Sequence, residues 1–141
     1  MRYLLDTCVL SELTKPAPDP QVTAWVAAQE EDDLGVSALT LGELQHGVSR
    51  LPAGARRRRL QAWVDDDLRR RFADRCLPVD DGVACAWGEL SARAEDEGHP
   101  VSVIDGLVAA TALTHDLTLV TRNTRDMAPT GARLLDPWQR E

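Results

Sequence analysis

The sequence predicts an α/β fold: a central parallel sheet of four to five strands flanked by helices on both sides. Three observations predict it. Short apolar runs alternate with helical segments along the whole length, an order that calls for parallel strands joined by crossover helices. The first run, Tyr3 to Leu5, turns at once into a helix, as a buried strand does. The chain has 141 residues, 43% of them hydrophobic, with no internal repeat, low-complexity tract or linker, so one domain is expected over residues 1–141. At this size a fold buries roughly 68–70% of the surface its unfolded chain would expose, enough for a core without disulfides or a structural metal.

The elements follow in order. After the Tyr3–Leu5 strand, TCVLSELTK reads as a helix broken by Pro16, Pro18 and Pro20. Asp19 caps a second helix with Pro20 at its first position and Val22, Trp25 and Val26 on one face. Leu34 to Ser37 is a second strand, and a helix starting at Ala38 or Thr40 runs to Leu51, where Pro52 stops it. Ala55 to Phe72 is a long Arg-rich amphipathic helix with Leu60, Trp63, Val64 and Leu68 as its apolar stripe. Cys76 to Val79 is a third strand, Gly82 to Glu97 a helix, and Gly98 and Pro100 mark a stop and turn. Val101 to His115 is the most apolar helix, Leu117 to Thr121 a β-branched strand, TRNTRD a loop or single turn, and Arg133 to Leu135 a fifth strand.

Composition narrows the function classes. No stretch approaches the roughly 20 apolar residues of a membrane span, because Asp6 interrupts the opening apolar run, so a cytoplasmic protein is expected. Cys8, Cys76 and Cys85 are odd in number, form no CxxC pair, and read as reduced core thiols. The net charge is −7, yet nine of the 16 basic residues fall between Arg50 and Arg75 against four acids, giving that segment +5 and the remainder −12. P-loop and dinucleotide fingerprints are absent, and His46, His99 and His115 have no partners at zinc spacing.

The informative acids are those in apolar surroundings, since Asp and Glu are almost never buried without compensation. Asp6 ends the first strand, Glu43 sits in VSALTLGELQ, Asp105 in VSVIDGLVAATAL, and Asp126 follows the last long strand in LVTRNTRD. In an open parallel sheet the carboxyl ends of strands and the helix starts after them share one rim, where ligands bind. Carboxylates 4 Å apart repel by about 4 kcal/mol at an effective dielectric near 20, so a cluster there calls for protonation or a bridging cation. Hard Mg²⁺ or Mn²⁺, one ion or two, is the natural bridge. Each acid also has a purely structural reading. Asp6 caps the following helix; Glu43 completes a capping box with Thr40; Asp105 complements a helix dipole; Asn123 and Asp126 form a turn.

Taken together, LLDTCVLSEL, VSALTLGEL, IDGLVAATA and LVTRNTRD occur in the order and separation found in PIN-domain ribonucleases. The chain resembles a VapC-type toxin, of the FitB-like branch whose opening is similar to DTNVISE. The resemblance spans residues 1 to about 136. It implies a PIN-like fold and a Mg²⁺-dependent endoribonuclease, with Mn²⁺ as substitute, that acts as the toxin of a toxin–antitoxin system. It further implies that Asp6, Glu43, Asp105 and Asp126 bind metal and carry catalysis, that Thr7, Thr121 and Asn123 support them, and that the partners are a cognate VapB- or FitA-like antitoxin, RNA and a second copy in a homodimer. Where the family carries Asn, this chain has Cys8, read as a small buried hydrophobe; Met127 stands where an aromatic is common.

Two choices stay open in the sequence. Arg56, Arg57, Arg58 and Arg59, with Arg69 to Arg71, either track an RNA backbone or form a solvated face paired with Asp65 to Asp67, the second being slightly favoured. The alternatives to a nuclease are a non-catalytic PIN-like interaction module and a phosphotransferase of the haloacid-dehalogenase type. The latter is weakened by Cys8 at its second acidic position and by a sole lysine, Lys15, in the first helix.

Overall fold

The computed structural model describes residues 1–139. Strands β1 (Tyr3–Leu5), β2 (Leu34–Ser37), β3 (Cys76–Leu77), β4 (Thr118–Val120) and β5 (Leu134–Leu135) form one sheet in the order β3-β2-β1-β4-β5, with every pairing parallel. β1 is therefore central. Its neighbours arrive from opposite directions along the chain, which opens a crevice at its carboxyl end.

The period-two alternation of the strands divides the core. Leu5, Leu34, Val36 and Val120 point to one face, where α1 (Thr7–Leu13), α2 (Pro20–Ala28) and α3 (Ala38–Ser49) bring Val9, Leu10, Val22, Val26 and Val48 against them. Leu4 and Leu119 point to the other face and meet Val108, Ala112 and Met127, contributed by α7 (Val103–Thr114) and α8 (Thr124–Met127). The helix α6 (Asp81–Asp96) packs outside α7 through Val83, Leu90, Ala109 and Ala110. Gly35 sits at a close approach: a Cβ there would crowd the Met1 sulfur and stand 3.1 Å from the Arg75 carbonyl oxygen.

Element ends follow local chemistry. Asp19 accepts from the Gln21 N–H at 2.8 Å with Pro20 at the first helical position, as its sequence predicts. The Arg-rich helix begins as α4 (Ala55–Ala62), widens into a π-helical stretch over Trp63–Leu68 and ends as α5 (Arg69–Arg71), keeping Val64 and Leu68 buried throughout. β3 stops at Leu77 rather than Val79, because Pro78 has no N–H to donate to a ladder. The apolar helix starts at Val103, not Val101, because Ser102 caps it. Cys85 is exposed on α6, so the expectation of three core thiols fails there; all three cysteines are unpaired. Among the described residues, no helix is long and apolar enough to cross a membrane.

Candidate metal and nucleic-acid site

The site is built where β1 and β4 end side by side. Leu5 pairs with Val120, so Asp6 and Thr121 come next in register, and the Asp6 N–H donates to the Val120 carbonyl at 2.9 Å. Asp6 is 6% exposed. Its Oδ1 accepts from the Thr7 N–H at 2.9 Å and its Oδ2 from the Thr121 hydroxyl at 2.8 Å, which fixes the carboxylate between the start of α1 and the residue after β4. Burial pushes its pKa up. The bonds from Thr121 and Thr7 pull the other way, and the nearby Asp105 charge adds to the rise. Asp6 thus caps α1 and takes part in an acidic pair at once.

Glu43 arrives from α3. Ser37 caps that helix, its Oγ accepting from the Leu39 N–H at 3.1 Å, so the capping box with Thr40 does not form. The buried Thr40 hydroxyl has no hydrogen-bond partner. Glu43 lies well inside the helix and accepts from the Thr7 hydroxyl at 2.6 Å. Thr7 therefore reaches both acids, Asp6 through its backbone and Glu43 through its side chain. Asp105 is half-buried on the first turn of α7, with its N–H on the Ser102 hydroxyl at 3.3 Å. Its dipole-complementing role and its place beside Asp6 coexist.

Asn123 and Asp126 sit on the far side of Thr121. The Asn123 N–H donates to the Thr121 hydroxyl at 3.1 Å, so Thr121 relays between Asp6 and the α8 loop. The Asn123 side chain makes no cap on α8. Asp126 is exposed on α8 and, among the described residues, takes part in no hydrogen bond or ion pair. No group of three His, Cys, Asp or Glu side chains among the described residues is arranged to hold a metal. Asp6 and Asp105 stand close enough for their charges to interact, Thr7 ties Glu43 to Asp6, and Asp126 is exposed. Two like charges in that relation are unfavourable without a proton or a cation.

The charge balance fits a hard cation. None of the ion pairs among the described residues involves Asp6, Glu43, Asp105 or Asp126, so no arginine or lysine neutralises them. The donors are oxygens, the set that Mg²⁺ takes. The sole lysine is spent elsewhere: Lys15 pairs with Glu12 at 2.9 Å, which removes the lysine a haloacid-dehalogenase-type site needs.

Cys8 is more than a buried hydrophobe. It is half-buried, its sulfur lies 3.9 Å from Asp6 Oδ2 and 3.6 Å from the Thr121 hydroxyl, and it accepts the Arg122 N–H at 3.5 Å. Burial pushes its thiol pKa up, so it sits there as a neutral group. Sequence reasoning overlooked this role and overlooked Arg122. The available signal was position, since Cys8 follows the cap of α1 and Arg122 separates Thr121 from Asn123. The basic segment also differs from the favoured reading. Arg71 and Arg75 pair with Glu31 at 2.6 and 3.1 Å, whereas no arginine pairs with Asp65, Asp66 or Asp67. Arg56, Arg58 and Arg59 are exposed and free of ion pairs among the described residues; Arg57 donates to the Leu51 carbonyl at 3.4 Å.

Known proteins share this fold. The family model of the PIN domain matches residues 3–130. VapC ribonuclease Y4jK of Sinorhizobium fredii is 37% identical over 136 residues, covering 96% of this chain and 97% of its own. Toxin FitB of Neisseria gonorrhoeae is 35% identical over 135 residues, with 96% and 97% covered. The solved structure of FitAB bound to the IR36 DNA fragment superposes with a TM-score of 0.94 at 33% identity, covering 99% of this chain and 97% of that one. With the five-stranded parallel sheet, these matches make the chain a member of the PIN-domain family of VapC toxins.

Proposed function

We propose that the chain is a metal-dependent endoribonuclease acting as the toxin of a toxin–antitoxin pair. The observation that carries this reading is the Asp6 carboxylate. It is fixed by Thr7 and Thr121, stands close enough to Asp105 for the two charges to interact, and among the described residues has no basic side chain paired with it. Asp6, Asp105 and Glu43, with Asp126 at the rim, would hold Mg²⁺ or Mn²⁺, one ion or two. When bound, that ion supplies a water of lowered pKa and offsets charge that develops on the phosphodiester.

The chain's own groups do the rest. Thr7 and Thr121 hold the Asp6 oxygens in place, so no reorganisation is needed as charge builds. Thr7 keeps Glu43 turned inward by its 2.6 Å bond, and Asn123 braces Thr121. A water positioned by these carboxylates attacks phosphorus in line. Its proton passes to a carboxylate oxygen, and the ribose 3′-oxygen departs and is protonated. The products are a 5′-phosphate and a 3′-hydroxyl. Arg56 to Arg59 offer a sequence-independent contact with the RNA backbone, since the exposed members have no carboxylate partner.

The same reading includes a cognate VapB- or FitA-like antitoxin, a homodimer and work in the cytoplasm; the FitAB assembly of a relative supports the antitoxin. One observation favours a non-catalytic PIN-like module instead: the thiol of Cys8 beside Asp6, where the family has Asn. The deciding experiment is Mn²⁺-dependent cleavage of total RNA by the chain and by Asp6→Asn and Asp105→Asn, followed by end-mapping. The nuclease reading requires cleavage that both variants lose, with 5′-phosphate ends. Cyclic-phosphate ends overturn the mechanism, and cleavage retained in both variants overturns the site.

A further inference from the structure

Among the described residues, Arg122 is the guanidinium whose backbone is built into the acidic site. It directly follows Thr121, whose hydroxyl holds Asp6, and its own N–H donates to Cys8 at 3.5 Å. On the other side of the Arg122 Cα the Asn123 N–H donates to the Thr121 hydroxyl at 3.1 Å, so the chain is pinned before and after it. The Arg122 side chain nevertheless pairs with none of the site's acids and, among the described residues, with no other carboxylate. It lies over the Trp138 ring, 5.3 Å from the centroid.

Trp138 is itself anchored. Its indole packs against the core cluster of α1, α2 and β1, and its side chain bonds Glu12, a carboxylate only 6% exposed near the end of α1. The Trp138 N–H donates to Asp136 at 2.8 Å. The carboxyl-terminal segment therefore presents a fixed aromatic face to Arg122.

A guanidinium stacked on a ring by cation–π attraction is occupied on one face only, and its N–H donors radiate in its plane. That arrangement keeps Arg122 from collapsing onto Asp6 and leaves a planar donor fork free at the edge of a site that otherwise repels phosphate. We propose that Arg122 binds a backbone phosphate of the RNA substrate next to the acidic site, with Trp138 as the positioning residue that orients it. This rests on the nuclease reading. RNA backbone is favoured over an acidic protein segment because the fork adjoins groups that act on a phosphodiester, and because phosphate oxygens match bidentate guanidinium geometry.

The test measures cleavage kinetics and, separately, binding of a single-stranded oligoribonucleotide in EDTA as a function of salt, using the full chain and Arg122→Gln, Arg122→Lys and Trp138→Leu. Arg122→Gln is expected to raise KM about tenfold, to change kcat less than about threefold, and to reduce the salt slope by about 0.7, the loss of one phosphate contact on a single strand. Arg122→Lys restores the slope but only part of the KM, since an ammonium lacks the planar fork. Trp138→Leu raises KM while the slope stays, because the charge remains and only its orientation is lost. Arg122→Gln with unchanged KM and slope overturns the proposal. So does a fall in melting temperature alone, which assigns the pair to fastening the terminus, or a loss confined to antitoxin affinity, which assigns it to a protein partner. Wild-type chain that neither binds nor cleaves RNA removes the nuclease reading itself, an outcome distinct from the others.

Discussion

The Thr7 hydroxyl donates to Glu43 at 2.6 Å across 36 residues of sequence, while the Thr7 N–H donates to Asp6. One residue thereby sets the relation between the acid of the central strand and the acid of α3. Thr7→Val keeps the shape and the backbone bond but frees Glu43. The expected outcome is a loss of kcat/KM of about tenfold or more, with folding retained, since a hydrogen bond to a charged group is worth about 1.5–3 kcal/mol. Thr7→Ser should recover most of the rate. Steady-state cleavage assays check both.

Asp6 links function to a stability cost. Burial raises its pKa above 3.8 in the folded chain, so the folded state holds the proton more tightly than the unfolded state. Stability attached to this group is present while it is protonated and is lost as pH rises from 3.8 through the raised value. Asp6→Asn removes that ionisation. In EDTA the variant should melt above the wild type at about pH 7, with the gap narrowing towards about pH 4. Melting scans across that range check the sign, and a gap that widens as pH falls would contradict it.

Thr121 is fully buried and its hydroxyl serves twice, donating to Asp6 and accepting from the Asn123 N–H. Thr121→Val preserves volume but leaves both partners short of a bond. The expected cost is about 1–3 kcal/mol in urea unfolding, accompanied by a further rise in the Asp6 pKa. Loss of Asn123 bracing should also lower cleavage.

Gly106 follows Asp105 and abuts α6, where an added Cβ would stand 2.9 Å from both Cδ1 and Nε1 of Trp87. Helix propensity favours alanine there by roughly 0.5–1 kcal/mol, but overpacking typically costs about 1–3 kcal/mol, so the clash wins. Gly106→Ala should destabilise the chain and weaken cleavage by moving Asp105. Adding Trp87→Leu should restore part of both, as read by urea melts and assays on the double variant.

Much of the architecture was legible because it rests on periodicity and punctuation. Leu34–Ser37 and Tyr3–Leu5 are bounded by an acid or a helix cap, and their apolar runs admit only a buried strand. Pro20 after Asp19 marks a helix start unambiguously. The site was legible as a set of displaced acids, but not as a network. Thr7 reaching Glu43, Cys8 accepting from Arg122, and Trp138 meeting Arg122 are contacts over long sequence separations, which spacing does not encode. The π-helical widening over Trp63–Leu68 left no mark in the sequence either, since the apolar stripe suits either winding. Arg71 lies on one helix with Asp65 to Asp67 in the sequence, yet the fold brings Glu31 to it.

The central claim is that Asp6 and Asp105 jointly create affinity for a divalent cation. It is tested most directly by thermal melts of the wild type, Asp6→Asn, Asp105→Asn and Asp126→Asn with and without Mn²⁺. A ligand present at about 100 times its Kd stabilises the folded state by about 2.7 kcal/mol, so the wild type should melt several degrees higher with the ion. Asp6→Asn and Asp105→Asn should lose that shift, and Asp126→Asn, exposed at the rim, should keep more of it. A wild-type melting temperature that Mn²⁺ leaves unmoved, or a shift that survives in both Asp6→Asn and Asp105→Asn, would contradict the account.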